Sequence, residues 1–291
     1  MIKKKTFLDY FIYVLMIAWG LMIFYPFYNS VLVSFMSHSE YMRKPFAVFV
    51  TNPTFAAYKE ILSDSKFFYG YRSTLLILAI KLPISLLITT SMAYALSRKR
   101  FFMSKTINNM TVFTMYFGGG VVPLYLLMKS YHLIGSYASV IIVGIFSVYN
   151  MILVKNFFYS IPDTLEEAAK VDGANDIRIF AQIYLPLAKP IIATVALFTA
   201  VTVWNEWYNA MLWLSDSKKW PLQLVLREIV NNASTPITED MVQDENLAIK
   251  ETFALNVQMA AVVVTMLPIM LVYPFLQKYF MGGIMIGAVK G

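Results

Sequence analysis

The sequence predicts an all-α polytopic membrane protein, and three observations carry that prediction. Of its 291 residues 58% are hydrophobic and only 14% are charged, against about 25% charged in soluble domains. Mean hydropathy is +0.60. The apolar residues also gather into six stretches, each near the roughly 20 residues that cross a hydrocarbon core. An ordinary soluble enzyme is excluded, because this composition cannot furnish a water-facing surface. Disorder is excluded by the aliphatic content and by 16% aromatics. With no cysteine there are no disulfides, cysteine metal sites or thiol nucleophiles, and two histidines, His38 and His132, cannot make a histidine-rich metal centre.

Each span follows from the gaps between charges. The first is expected over about 10–36, since no charged side chain lies between Asp9 and Glu40. The second, about 73–97, is interrupted only by Lys81, whose four-carbon stem is expected to snorkel outward. Pro83 beside it is expected to kink the helix. Spans over 106–130 and 136–158 share a tight turn at Gly135-Ser136, which makes them antiparallel neighbours. Gly118–Gly120 and Pro123 mark irregular backbone in the third. The fifth covers 190–214 and the sixth 253–277, so that residues 1–291 form a single transmembrane domain.

Orientation rests on the basic runs Lys3–Lys5 and Arg98–Arg100, each beside a span end, and puts both termini in the cytoplasm. A basic run before an apolar stretch also resembles a secretory leader. Here the stretch exceeds a leader's core and no small-x-small site follows, so an uncleaved first helix is expected. External loops then cover 37–72 and 215–252, the second with the acid-rich Glu239–Glu245 stretch. It reads as a mixed helix and loop cap over the outer mouth.

The cytoplasmic connection 159–190 is the most informative segment. Its length exceeds the usual connection, which marks it as functional or disordered. Disorder does not fit the local signals. Ser160-Ile161-Pro162 breaks the preceding helix, and Thr164-x-x-Glu167 fits a capping box. Asp172-Gly173 supplies a left-handed residue to end a short helix. A second helical stretch follows over Asn175–Leu185, closed by Pro186 and Pro190. Two short helices with acids at their starts and alanines on their surface suit docking to another protein. An amphipathic hairpin lying on lipid fits the same pattern.

Glu167-Ala168-Ala169, three residues, Gly173, nine residues, Ile183, one residue and Leu185-Pro186 resemble the EAA loop of binding-protein-dependent ABC importer permeases. The segment Glu166–Pro190 resembles their carbohydrate-uptake branch. Phe117–Pro123, Pro221–Ile229 and the terminal Gly287-Ala288-Val289-Lys290-Gly291 are similar to the subgroup serving complex oligosaccharides and polysaccharide fragments. The resemblance spans essentially the whole chain. It implies a type I importer fold (MetI-like) and the transmembrane subunit of an ATP-driven sugar importer. Implied partners are a second homologous permease, a cytoplasmic ATPase dimer that holds the ATP and magnesium, an extracytoplasmic sugar-binding protein and membrane lipid. It implies no cofactor or catalytic residue on this chain, and no nucleic acid. With no G-x-x-x-x-G-K-[ST] loop, no nucleotide binding is expected here. Glu166, Glu167, Ala168, Ala169, Asp172, Gly173 and Pro186 are implied as the surface coupled to the ATPase. The terminal glycine-rich tail reads either as a further contact or as a frayed end.

Candidate pathway residues lie in the fifth span: Trp204, Asn205, Glu206, Trp207 and Tyr208. Aromatic rings can cover the apolar face of a sugar while amides and carboxylates bond its hydroxyls. The same aromatics fit interface anchors, and Glu206 stands where related sequences more often carry a small polar residue. A stand-alone ion-coupled secondary transporter would show inverted repeats and paired intramembrane charges. Neither is evident, while an importer for a non-sugar solute stays open.

Overall fold

A run of apolar residues must become helix to cross lipid, because only there are its backbone groups paired within the segment. The computed structural model, which describes residues 7–44, 47–98, 100–233 and 253–283, is helical accordingly, with no strand among the described residues. In chain order the helices are α1 (Phe7–Ser34), α2 (His38–Arg43), α3 (Ala56–Ser63), α4 (Ser65–Ser97), α5 (Ser104–Tyr116), α6 (Val121–Ser130), α7 (Tyr137–Ile142) and α8 (Val148–Tyr159). They continue as α9 (Asp163–Val171), α10 (Asp176–Ile179), a π-helical segment (Phe180–Tyr184), α11 (Leu185–Leu187), α12 (Lys189–Trp204), α13 (Tyr208–Trp213), α14 (Leu222–Ala233) and α15 (Ala254–Gly283).

Among the described residues three helices are long and apolar enough to cross a membrane unbroken: α1, α4 and the Ala254–Val272 part of α15. Two bent helix pairs pass the same test of length and composition when each pair is taken together. Helices α5 and α6 meet at 112°, and the segment Asp176–Leu187 meets α12 at 81°. Against the six spans expected from hydropathy, the described residues hold three unbroken candidates, or up to five if each bent pair is one span. In the third expected span the cause of the bend is Gly118-Gly119-Gly120, where Gly120 takes φ 85°, a conformation open to glycine but costly for other residues. The fourth divides into α7 and α8. Gly144 takes φ 68° between them, and the Ser147 hydroxyl accepts from the Asn150 amide to restart the helix. The fifth breaks after Trp204. Pro83, by contrast, lies inside a continuous α4.

By internal packing the chain forms two compact units, residues 1–68 with 225–268, and residues 69–224 with 269–291. In the first unit, the Glu40 carboxylate accepts from the amides of Thr51 (2.5 Å) and Asn52 (3.3 Å), closing the connection after α2. The Ser34 and Tyr58 hydroxyls bond at 2.7 Å, and the rings of Phe35, Phe55 and Tyr58 cluster around them. Asn256 on α15 donates to the Met36 carbonyl at 3.1 Å. The acid-rich stretch Glu239–Glu245, the Lys3–Lys5 run, Lys99 and the tail Gly287–Gly291 lie outside the described residues.

The second unit has two cores. One gathers Tyr94, Met151, Phe158, Ile179, Tyr184 and Val195 from α4, α8, α10, the π segment and α12. The other gathers Ile77, Met128, Val140, Val203, Trp213 and Leu224. Polar bonds tie the second core: Ser73 with Tyr137 at 2.8 Å, Leu222 N–H to Thr74 Oγ1 at 2.9 Å, and Lys219 Nζ to the Gly135 carbonyl at 2.7 Å. Lys81 does not snorkel. It is 4% exposed, and its ammonium donates to the carbonyls of Val140 (2.9 Å) and Val143 (2.7 Å). These lie at the end of α7, where the helix has stopped and carbonyls lack intrahelical donors.

Candidate coupling hairpin and broken fifth span

The segment from α9 to α11 is a helical hairpin. Pro162 at φ −60° leads the chain into α9 at Asp163, with no side-chain cap. The expected Thr164 capping box is therefore absent: Thr164 falls within the first turn, exposed, because the proline sets the start two residues earlier. Carboxylates of Asp163 and Glu166 stand in that first turn, where they oppose the positive end of the peptide dipoles. The helix ends as the sequence suggests. Gly173 takes φ 76°, and its amide donates to the Lys170 carbonyl at 3.0 Å. Asn175 then caps α10, its side chain accepting from the Arg178 amide at 2.9 Å. The following helix does not stop at Pro186. It runs through a π turn to Leu187 and breaks at Ala188, since proline lacks only its own N–H and the wide turn before it absorbs the loss.

The expected coupling residues divide into two groups. Glu167, Ala168, Asp172, Gly173 and Pro186 are exposed, and Ala169 is half-buried against the core. Between them stand exposed apolar side chains, Val171 at 88% and Ile177 at 77%. Glu166, in contrast, is buried, at the edge of a surface cavity. Its carboxylate is held by the Arg98 guanidinium and by the Lys170 ammonium one turn along α9. Burial alone would push this carboxyl up, but the Lys170 hydrogen bond and the Arg98 charge and hydrogen bond hold it below its ordinary range. Arg98 Nη1 also donates to the Tyr184 hydroxyl at 2.5 Å. Burial works against the Arg98 charge, yet the Tyr184 and Glu166 contacts raise its pKa. A surface cavity of about 430 Å³ opens beside this cluster, lined in part by Arg98, Arg100, Ile161, Asp163, Glu167 and Lys170.

The fifth-span cluster is the break between α12 and α13. Trp204 is buried, edge-on to Tyr71 with centroids 6.2 Å apart. The other members lie at the break, and of these Asn205 and Tyr208 are exposed. Asn205 Nδ2 donates to the Val201 carbonyl at 2.9 Å, and its Oδ1 accepts from Gln223 at 3.2 Å. Glu206 accepts from the backbone N–H and the side-chain amide of Asn209, both at 2.9 Å. It satisfies the start of α13. Trp207 and Tyr208 pack edge-to-face at 5.6 Å. Sequence reasoning missed Arg98 and Tyr184 as members of the hairpin's base and Lys81 as a backbone partner. Only the Arg98–Arg100 charge run beside a span end hinted at the first. No group of three or more His, Cys, Asp or Glu able to hold a metal occurs among the described residues.

Comparisons with known proteins agree with this architecture. Residues 5–284 match the family described as binding-protein-dependent transport system inner membrane component. The chain is 38% identical over 288 residues to the polygalacturonan/rhamnogalacturonan transport system permease protein YtcP of Bacillus subtilis (strain 168), covering 99% of this chain and 100% of that one. It is 37% identical over 266 residues to protein LplC of the same organism, covering 91% and 89%. Among solved structures it resembles, at TM-score 0.86 and 30% identity, a chain of a bacterial ABC transporter involved in import of the acidic polysaccharide alginate, covering 95% and 99%. With nearly its whole length matched, this multi-pass membrane chain belongs to the family of binding-protein-dependent transport system inner membrane components.

Proposed function

We propose that this chain is the transmembrane permease subunit of an ATP-driven importer, and that it moves an oligosaccharide bearing carboxylates into the cytoplasm. In this reading both termini and the α9–α11 hairpin are cytoplasmic. A second permease completes the translocation path, a sugar-binding protein delivers substrate from outside, and an ATPase dimer carries the ATP and magnesium. The chain itself performs no covalent chemistry. ATP-driven closure of the ATPase dimer moves the hairpin, and the broken spans change access from one side to the other.

The observation that carries the reading is the exposed face of the hairpin. Val171 and Ile177 project from it almost fully exposed, which is costly in water and marks a surface that something covers. Glu167 and Asp172 lie on the same segment, with Asp163 and Asp176 close by in sequence. An anionic lipid surface attracts basic segments and is disfavoured by acids. A protein partner with basic groups is favoured over lipid, since it can bond the carboxylates while covering the apolar pair. The substrate class is supported by two of the relatives above, named for polygalacturonan and for alginate. Asn205 and Tyr208, the exposed members of the fifth-span break, are assigned to the pathway. Glu206 and Trp207 form its backbone and wall, and Trp204 packs behind them.

The test is uptake by the complete importer in proteoliposomes, with a tritium-labelled galacturonate trimer as probe and a neutral trisaccharide as control. ATP-dependent accumulation of the acidic probe is expected. Accumulation of the neutral sugar alone would overturn the substrate class. Gly173→Asp should insert and assemble yet lose uptake, because it places a side chain in the left-handed turn and a further acid on the docking face. Wild-type uptake by that variant would remove the hairpin from the coupling role.

A further inference from the structure

We infer that Arg98, Glu166 and Tyr184 form an internal tether that makes the hairpin helix α9 move as one body with the end of α4; the inference rests on the importer reading above. Three elements meet at this cluster. The last turn of α4 contributes Tyr94 and Ser97, and Arg98 follows directly. Helix α9 contributes Glu166 and Lys170, and the π segment contributes Tyr184. Each oxygen of the Glu166 carboxylate has its own cation, Oε2 the Arg98 guanidinium and Oε1 the Lys170 ammonium. Tyr184 Oη lies 3.4 Å from Oε2 and accepts from Arg98 at 2.5 Å.

The guanidinium is held on every side. Its carbon lies 4.3 Å from the Tyr184 ring centroid and 5.0 Å from that of Tyr94. Nε and Nη2 donate to Ser97 Oγ at 3.1 and 2.9 Å, and Ser97 in turn donates to the Tyr94 carbonyl at 2.7 Å. The side chains of Arg98 and Glu166 are only 12% and 10% exposed. A second ion pair crosses to the hairpin, Arg100 with Asp176 at 2.6 Å, but its side chains are 62% and 55% exposed. Solvent screens such a pair, and it resists displacement weakly. Separating Arg98 from Glu166 instead leaves a charge buried without its partner, which is strongly opposed.

The consequence is mechanical. Helix α9 cannot slide along α4 without breaking this cluster, so a displacement imposed on the hairpin is delivered to α4. That helix carries Lys81, whose ammonium holds the carbonyls at the end of α7. Helix α4 thus joins the Arg98 cluster at its end to the Lys81 contact at the break in the fourth expected span. Arg98 and Tyr184 are positioning residues of transport: they touch neither substrate nor nucleotide.

The cysteine-free chain permits a direct test in the complete reconstituted importer. Spin labels at Thr164→Cys on α9 and Leu87→Cys on the exposed side of α4 report their separation by pulsed electron resonance, without nucleotide and after trapping with ATP and vanadate. ATP hydrolysed per galacturonate trimer imported is measured on the same preparations. The otherwise wild-type pair should give one narrow distance, unchanged by trapping. In Arg98→Gln that distance should broaden and shift by several ångströms on trapping, while ATP consumed per sugar rises about tenfold. Tyr184→Phe, which removes a single hydroxyl and keeps the packing, should move both readouts the same way by less. Arg100→Gln should move neither. Wild-type distances and stoichiometry in both Arg98→Gln and Tyr184→Phe would overturn the tether, and if Arg98→Gln fails to assemble, Tyr184→Phe decides alone. An absence of ATP-driven uptake in the wild type would overturn the importer reading instead, and the tether with it.

Discussion

Replacing Lys81 by methionine isolates what an ammonium does inside a spanning helix. Methionine keeps the unbranched stem and close to the same volume, so packing changes little while two donors vanish. The carbonyls of Val140 and Val143, now bonded at 2.9 and 2.7 Å, lose those donors in a site that is 4% exposed. A hydrogen bond to a charged group contributes roughly 1.5–3 kcal/mol, and two that share one ammonium sum to less than twice that. A loss of about 3 kcal/mol follows, or a fall in melting temperature of roughly 10 °C for a unit of this size. The assay is thermal unfolding in detergent, followed by tryptophan fluorescence, on the complete chain. Lys81→Arg keeps donors at this position and should lose less. A membrane-impermeant amine reagent applied to the folded protein should leave Lys81 unmodified. If Lys81→Met melts with the wild type, the ammonium is not holding the break, and a side chain reaching for water becomes the better account.

Two further outcomes follow from named contacts. The Glu166 carboxyl titrates below its ordinary value of 4.5 when folded, so its pairing stabilises the fold above that pH and the contribution is lost as pH falls through the lowered value. The melting difference between wild type and Glu166→Gln should therefore be full at pH 7 and shrink below pH 4.5; a difference independent of pH would mean that the ion cluster is not its source. Glu206→Gln should melt within about 0.5 kcal/mol of wild type, because the amide oxygen still accepts from the Asn209 N–H. Uptake measured alongside separates backbone support from substrate contact, since loss of transport without loss of stability would place the carboxylate itself in the pathway.

The spans legible in the sequence are those whose apolar run stays unbroken. Helices α1, α4 and α15 were readable because a long apolar run, even with one charge in it as at Lys81, is all that a straight span requires. Breaks were not readable from hydropathy, since the residues on either side of one are equally apolar. What decides a break is local: a glycine at positive φ, as at Gly120 and Gly144, or a polar side chain able to take over backbone bonds, as Glu206 does for Asn209. The turn at Gly173 was legible for the same reason, because Asp-Gly after an alanine-rich helix has few other uses. Lys81 shows the limit. Its stem length suits snorkelling and capping alike, and the carbonyls that settle the matter lie 59 and 62 residues away. The Arg98 cluster is further still from local pattern, with partners 68 and 86 positions along the chain.

Several polar residues within these spans share one role, and it bears on where selectivity resides. A broken helix in a membrane frees N–H and C=O groups that lipid cannot pair. Here named partners meet several of them. Lys81 takes the carbonyls at the end of α7, and Ser147 starts α8. Asn205 takes Val201, Glu206 takes Asn209, and the Gly135 amide donates to the Trp213 carbonyl at 2.7 Å. An intramembrane charge is by default a functional-site hypothesis, yet both charges in this pattern, Lys81 and Glu206, are engaged by backbone. A substrate that recruited either one would first have to release it and leave a buried group unpaired. Recognition is better served by side chains that are exposed and not committed in this way, such as the Tyr208 ring at 44% exposure. The breaks themselves then become the moving parts, because each is held by one or two side chains and by no continuous helical ladder. A permease built so can change access by trading a few such bonds, provided that the force arriving through α9 and Arg98 reaches them.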